Sequence, residues 1–332
     1  LEKKSCNAKY SGIGGQAVME GVMMRSGDKY AVAVRRPDGK VAVMNDEYNG
    51  IIPIKGMYKI PFLRGIFSFL DSLVLGMKSL NYSVDFYTED EDTLKKRDAG
   101  EKKSAGDSAL SIVIMILAVI MAMGLFMVIP YFASQLFHKW IAEPHLLALV
   151  EGIIRMLIFI LYITGISKME DIKRVFRYHG AEHKCINCLE NGNPLTVENV
   201  RAASREHRRC GTSFLLYVMV VSILLFAVIQ TPDRLTKVVL RIVLIPVIAG
   251  ISYELIRLAG TSNNPLVRAM SVPGLLLQKL TTAEPDDSMI EIGIASVEAV
   301  YDWKTYLKEN FNLTDKQIDE AVREDKEVKI RS

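Results

Sequence analysis

Several kinds of chemistry are missing from this chain. No G-x-S-x-G elbow presents a serine, Thr212 and Ser213 belong to no nucleophile motif, and no glycine loop with its lysine is present to cradle a phosphate. Those gaps exclude the common serine hydrolase and P-loop designs. No internal repeat stands out, which removes solenoids. The formal charge is only +3 over 332 residues, which by itself implies no nucleic-acid partner. Leu1 to Gly15 lacks an apolar core, so no cleavable signal peptide is expected there. Cysteine and histidine are scarce, four and five.

Apolar sequence, by contrast, is plentiful. A run of about 18 to 20 apolar residues in helical form spans a bilayer core. Ala109 to Ile129 carries no charge, and neither does Ser213 to Ile229. Leu146 to Ile166 holds only Glu151 and Arg155, four apart on one helical face and able to neutralise each other. Val238 to Leu258 is interrupted by Arg241 and Pro246, with Glu254 and Arg257 close to its end. Proline is tolerated in membrane helices, so this run is read as a fourth span. The expected fold is therefore a membrane α-helical protein with four transmembrane helices.

Lysine and arginine collect on the cytoplasmic side of spans. Lys95, Lys96, Arg97, Lys102 and Lys103 precede the first run, and the connection between the second and third holds nine basic residues from Lys168 to Arg209. The other two connections offer only Lys139, and Arg234 with Lys237. Both termini and the 168–212 loop are accordingly expected in the cytoplasm. The basic loop could attract anionic headgroups or ribosomal RNA, but topology alone already requires its charge.

Outside the spans, residues 1–87 read as a small cytoplasmic β-unit followed by an amphipathic interfacial segment. Ala31 to Arg35 and Val41 to Met44 alternate around Pro37, Asp38 and Gly39, a hairpin pattern. Gly14 to Arg25 reads either as a turn leading into a strand or as a place of close backbone approach. Ile60 to Leu80 is apolar with Arg64, Asp71 and Lys78 at near-helical spacing, which suits a helix lying on a membrane surface. Residues 88–108 form a mixed-charge linker, 109–258 the membrane domain, and 259–332 a helical cytoplasmic segment in which Ile290 to Leu307 has helical periodicity.

The scarce residues are not scattered. His179, His183, Cys185, Cys188, His207 and Cys210 all fall within residues 179–210, in the loop expected to face a reducing compartment, where thiols stay available to metal. His179-Gly-Ala-Glu182-His183 fits H-x-x-E-H, which places two imidazoles one helical turn apart and a carboxylate beside them. Gly180 weakens the helix that would display the motif. A third ligand could come from His207 or Cys210, three apart at the far end of the loop, or from Glu254. Cys185 and Cys188 form a C-x-x-C that would instead complete a closed structural site. Imidazole and thiolate suit zinc.

Five segments in order resemble the YqhQ-like bacterial membrane proteins: residues 14–25 (GGQAVMEGVMMR), 178–184 (YHGAEHK), 209–214 (RCGTSF), 253–257 (YELIR) and 280–287 (LTTAEPDD). The resemblance runs from about residue 10 to 305. It is to a family of unknown function often described as metal-dependent enzymes. It implies a site at His179, Glu182, His183, His207 and Cys210, with Gln16, Glu20, Arg25 and Glu254 as further candidates, in a bacterial inner membrane. It does not point to Cys185 or Cys188. Family genes often neighbour translation genes, which implies a second class of reading.

Two functions are carried forward. The first is metal-assisted hydrolysis at the membrane surface on a lipid-linked molecule or a membrane-protein segment, with Glu182 as general base and a divalent ion, zinc first, held by His179, His183 and His207 or Cys210. The second is a non-catalytic biogenesis factor that uses metal for structure and docks on the ribosome or translocon.

Overall fold

The computed structural model describes residues 8–52, 55–88, 105–229, 231, 233–262 and 264–331. The charged linker expected at 88–108 therefore falls almost wholly outside the described residues. Four candidate membrane spans are present among them, Ile116–Lys139, Pro144–Ile166, Gly211–Val228 and Val239–Thr261. The first is built from the end of α2 (Ala105–Met123), a π-turn at Gly124–Val128, α3 (Ile129–Gln135) and a 3-10 turn at Leu136–Lys139. It thus runs on past the residue, Ile129, at which the apolar run in the sequence stops. The second is α4 (Pro144–Ile166) and the third α7 (Gly211–Val228). The fourth joins the end of α8 (Arg234–Val243) to α9 (Ile245–Thr261). Pro246 has no N–H to give its preceding turn, which is where the helix breaks.

The N-terminal residues form a four-stranded antiparallel sheet in sequence order: β1 (Ile13–Val18), β2 (Gly21–Ser26), β3 (Lys29–Arg35) and β4 (Val41–Glu47). The hairpin around Asp38 is as the pattern predicts. The glycine-rich segment before it differs from a turn leading into a strand, because residues 13–26 themselves make the β1–β2 hairpin, turning at Glu20 with φ 51°. Both faces of the sheet are covered, which explains why Val22 to Met24 and Tyr30 to Val34 are continuous apolar runs. Val22, Met24 and Ala33 face one way, towards Ala181, Ile186 and Ile292; Met23, Tyr30, Val32 and Val34 face the other, towards Leu75 and Phe86 of α1 (Leu63–Thr88). α1 is the helix expected from Ile60 to Leu80, and Leu70, Leu73, Val74, Met77 and Leu80 remain exposed along it.

Directly after α4 comes α5 (Glu170–Glu190), then a short α6 (Val197–Ala202) and an irregular stretch into α7. After α9 the chain doubles back as α10 (Pro265–Thr281) along α7, with Gln278 reaching Ser213 at 2.9 Å and Tyr217 reaching the carbonyl of Met270 at 3.3 Å. The run from Ile290 to Leu307 is two helices rather than one, α11 (Asp287–Glu298) and α12 (Trp303–Phe311), because Asp302 caps the second by accepting from Thr305 N. α13 (Asp315–Arg331) follows.

The spans are tied together by charge. Glu151 of α4 accepts from Arg155 at 2.8 Å and from Arg241 at 2.6 Å, and all three are buried. Phe226 of α7 lies under both guanidinium groups and Tyr131 of α3 under that of Arg241. One carboxylate thus holds two arginines from two spans, in surroundings where a lone charge is costly. Glu151→Gln leaves two unneutralised cations and is expected to cost about 3–5 kcal/mol, whereas Arg241→Met leaves a neutral pair and should cost less. Thermal melts of the detergent-solubilised variants check the order.

Candidate metal centre

α5 carries the centre on a single face. His179, Glu182, His183, Ile186 and Glu190 recur at helical spacing, and all but Glu190 line one small cavity of about 110 Å³, together with Gly14 and Gly15 of β1 and His207, Arg209, Cys210 and Gly211. Cys210 is brought there because it is the N-cap of the third span, its sulfur accepting from Thr212 N at 3.4 Å. The Nε2 or Nδ1 atoms of His179 and His183 and the Sγ of Cys210 lie within 4.8 Å of one another. His179 Nε2 is 3.3 Å from Cys210 Sγ.

Which ring nitrogens face the cluster is settled by the backbone. His179 Nδ1 is 2.8 Å from the carbonyl of Thr281, and His183 Nδ1 is 2.6 Å from that of Arg205. A carbonyl only accepts, so both Nδ1 atoms carry the proton and both Nε2 lone pairs point at the cluster. Each carbonyl is itself held. Ala283 N donates to Phe176 O at 2.9 Å, laying the 281–285 segment across α5. That crossing explains Gly180, which the sequence alone presents as a helix weakener: a Cβ there would stand 2.1 Å from Ala283 O. The 204–207 turn is pinned by Asn187, whose amide donates to Ser204 O and Glu206 O, and by Gln278, which bonds both N and O of His207.

Glu182 is 4 % exposed, its Oε2 3.8 Å from His179 Nε2 and 3.6 Å from His183 Nε2. Burial pushes its carboxyl up to about 7, against the pull of His179. It fits only because β1 has a glycine opposite: a Cβ on Gly15 would be 2.7 Å from Glu182 Cγ.

The remaining candidates are placed as follows. His207 lines the same cavity but stands behind the cluster, its ring 5.6 Å from that of His183 and its Nε2 3.7 Å from Glu190 Oε2. Cys185 and Cys188 are buried on other faces of α5. Cys185 packs where a Cβ on Gly293 would be 2.8 Å from its sulfur, and Cys188 points to the carbonyls of Asn193 and Pro194. Burial pushes both thiols up, that of Cys188 to about 12. Glu254 accepts from Arg64 and from Phe62 N, fastening α1 to the fourth span rather than reaching the cluster. Glu20 is held by Arg174 and Tyr178, Arg25 donates to Gly27 O and lies over Tyr48, and the Gln16 amide lies where a Cβ on Gly76 would be 2.6 Å from its Oε1.

Glu190 was not among the residues singled out from the sequence, although its spacing from His183 puts it two turns along the same face. It accepts from Ser11 N and Oγ at 2.9 and 2.8 Å and from Arg209. Burial alone would push this carboxyl up, but its bond with His207 and the charge of Arg209 hold it down at about 2. Burial depresses His207 to about 4, so it is neutral at pH 7.

Two consequences are measurable. Gly180→Ala is expected to displace the Thr281 carbonyl from His179 and to weaken divalent-metal affinity by about 10–100-fold, read by competition with a chromophoric chelator. Because the folded-state pKa of Glu190 is depressed, its contribution, on the order of 3 kcal/mol, is complete above about pH 4.5 and lost as pH falls towards 2. The Glu190→Gln chain should therefore melt lower at pH 7 and show a shallower acid limb.

The comparisons with known proteins speak to kinship. No solved structure matches the chain. The uncharacterized protein YqhQ of Bacillus subtilis (strain 168) is 38% identical over 286 residues, covering 85% of this chain and 90% of the relative. The family model described as protein of unknown function (DUF1385) matches residues 60–303, which include the α5 motif, Cys210 and the 281–287 segment, and the chain belongs to that family.

Proposed function

We propose that this protein is a metal-dependent hydrolase of the bacterial cytoplasmic membrane, with its centre on the cytoplasmic face. The observation that carries the reading is the convergence of two imidazole nitrogens and a thiol within 4.8 Å, beside a buried carboxylate and an open cavity. The donor set fits zinc: bonds of about 2.0–2.3 Å in a tetrahedron put ligand atoms about 3.3–3.6 Å apart, and His179 Nε2 and Cys210 Sγ are 3.3 Å apart. Three protein ligands with free space beyond them suit catalysis, whereas a structural site closes with four. The thiols that would close it, Cys185 and Cys188, pack elsewhere. The orientation rests on the basic residues around α5 and before α2.

A zinc ion held there would supply Lewis acidity and lower the proton affinity of water in its open position. The chain supplies the rest. Glu182 takes the proton from the attacking water at Oε2 and passes it to the leaving group as the acyl bond breaks and the new carbon–oxygen bond forms. Gly14, where a side chain would meet nothing within 4 Å, leaves the cavity open to substrate beside Glu182, and Arg209, turned towards Glu190, lines the cavity from the side of the third span.

The purified full-length chain should hold about one equivalent of zinc, and His179→Ala or Cys210→Ala should lose it. Glu182→Gln separates catalysis from scaffolding. It is expected to keep the ion and to lose at least 100-fold in activity, or to fail to complement a deletion; retention of both ion and phenotype would overturn the hydrolase reading.

A further inference from the structure

A second, larger cavity of about 990 Å³ shares a wall with the metal centre. Ile13, Gly14, Gly15, His179, Arg209 and Gly211 border both spaces. Its opposite walls are α1 at Asp71, Ser72 and Leu75, the third span at Thr212 and Leu215, and the fourth at Tyr253, Ile256 and Arg257. Gly12 and β1 from Ile13 to Ala17 run along it.

β1 is one of the two edge strands of the sheet, paired only with β2 among the described residues. In an antiparallel pair, alternate residues exchange both backbone bonds with the partner and the residues between turn theirs away. The Ile13 N–H donates to Ser11 Oγ at 3.2 Å rather than to β2. By that parity Gly15 and Ala17 also turn their N–H and C=O to the free edge, which faces the cavity. An edge of this kind is a template for another strand.

From this we infer that the substrate is a peptide in extended conformation, which enters the larger cavity and pairs as a fifth strand with β1. This deepens the hydrolase reading and rests on it for the word substrate, though the strand pairing itself does not. Six edge residues offer about 20 Å of pairing length at about 3.3 Å per residue. Because α5 covers one face of the sheet and α1 the other, successive side chains of the added strand alternate between Val175, Phe176 and His179 on one wall and Ser72 and Leu75 on the other. A peptide carbonyl opposite Gly15 comes to lie beside Glu182, since a Cβ on Gly15 would be 2.9 Å from Glu182 Oε1. The position of the cavity between α1 and two spans suits a segment released from a membrane protein. An acyl chain is the poorer occupant: it leaves the backbone groups of Gly15 and Ala17 unpaired and lies against Arg25, Asp71 and Arg257.

The test uses the full-length chain in detergent micelles and a fluorescein-labelled pool of octapeptides alternating an apolar and a polar residue, read by anisotropy. N-methylation at successive single amides should weaken binding about tenfold or more at every second position and leave the intervening ones within about twofold, the period of a one-sided ladder. Ala17→Pro, which removes one edge donor and no ladder bond to β2, should weaken the unmethylated pool to the same degree. Should that variant fold poorly, amide exchange on the unaltered chain decides, with the Gly15 and Ala17 N–H groups slowed by the pool. No binding of the pool, an N-methyl effect without period two, or unchanged exchange at Gly15 and Ala17 each overturns the inference, as does displacement of the pool by phosphatidylglycerol micelles without any N-methyl pattern. Zinc retained with no strand pairing sinks this inference alone; pairing retained in a chain that binds no zinc sinks the hydrolase reading alone.

Discussion

Everything at the centre depends on two carbonyl oxygens. Those of Thr281 and Arg205 take the Nδ1 protons of His179 and His183 and so decide that both Nε2 lone pairs face the same point as Cys210. Neither carbonyl belongs to α5. One comes from the end of α10 and the other from the turn before the third span, so the ligand helix is set in orientation only when the membrane helices on either side have packed. Removing such an outer partner weakens metal binding without touching a ligand. The tolerance of the centre is consequently set by distant contacts such as Gln278 to His207 and Ala283 to Phe176.

That dependence also explains what could be read from the sequence. Run length gave the spans, because a bilayer admits little besides helix where backbone groups cannot reach water. The i, i+3, i+4 spacing of His179, Glu182 and His183 gave one ligand face, because helical geometry is local. Carried further along the same face, that period would have reached Glu190. The partner ligand was less legible: His207 and Cys210 are equally plausible by type and spacing, and only the capping of the third span by Cys210 places its sulfur at the cluster while the His207 backbone is clamped by Gln278. Cys185 and Cys188 show the limit of motif reading. C-x-x-C puts the first thiol two residues and the second five residues beyond His183, off the histidine face, and both packed into apolar surroundings instead.

The polar residues of the glycine-rich segment 14–25 illustrate the same limit from the other side. Gln16, Glu20 and Arg25 have the chemistry of site residues, yet Glu20 fastens the β1–β2 turn to Arg174 and Tyr178, and Arg25 braces the far end of β2. Glu20 holds the β1–β2 turn against α5, and Gly15, rather than any side chain, stands over Glu182. A polar residue in a glycine-rich hairpin can matter to a site through the backbone it fixes, and no spacing rule separates that role from ligation.

The membrane bundle and the soluble layer meet through few covalent crossings but share one frame. Glu254 of the fourth span accepts from Arg64 and Phe62 N, locking α1 to the bundle; α1 covers the sheet; the sheet covers Glu182. At the opposite end of the spans Glu151 gathers Arg155 and Arg241. A carboxylate holding two arginines in place in hydrocarbon has few alternative arrangements, because any slide of one span strands a charge. The third span at Thr212 and Leu215 and the fourth at Tyr253 and Ile256 wall the larger cavity together with α1. A loss at Glu151 should thus be felt first in protein yield and not in metal affinity of the surviving folded molecules, since the centre takes its orientation from contacts at the other end of the bundle.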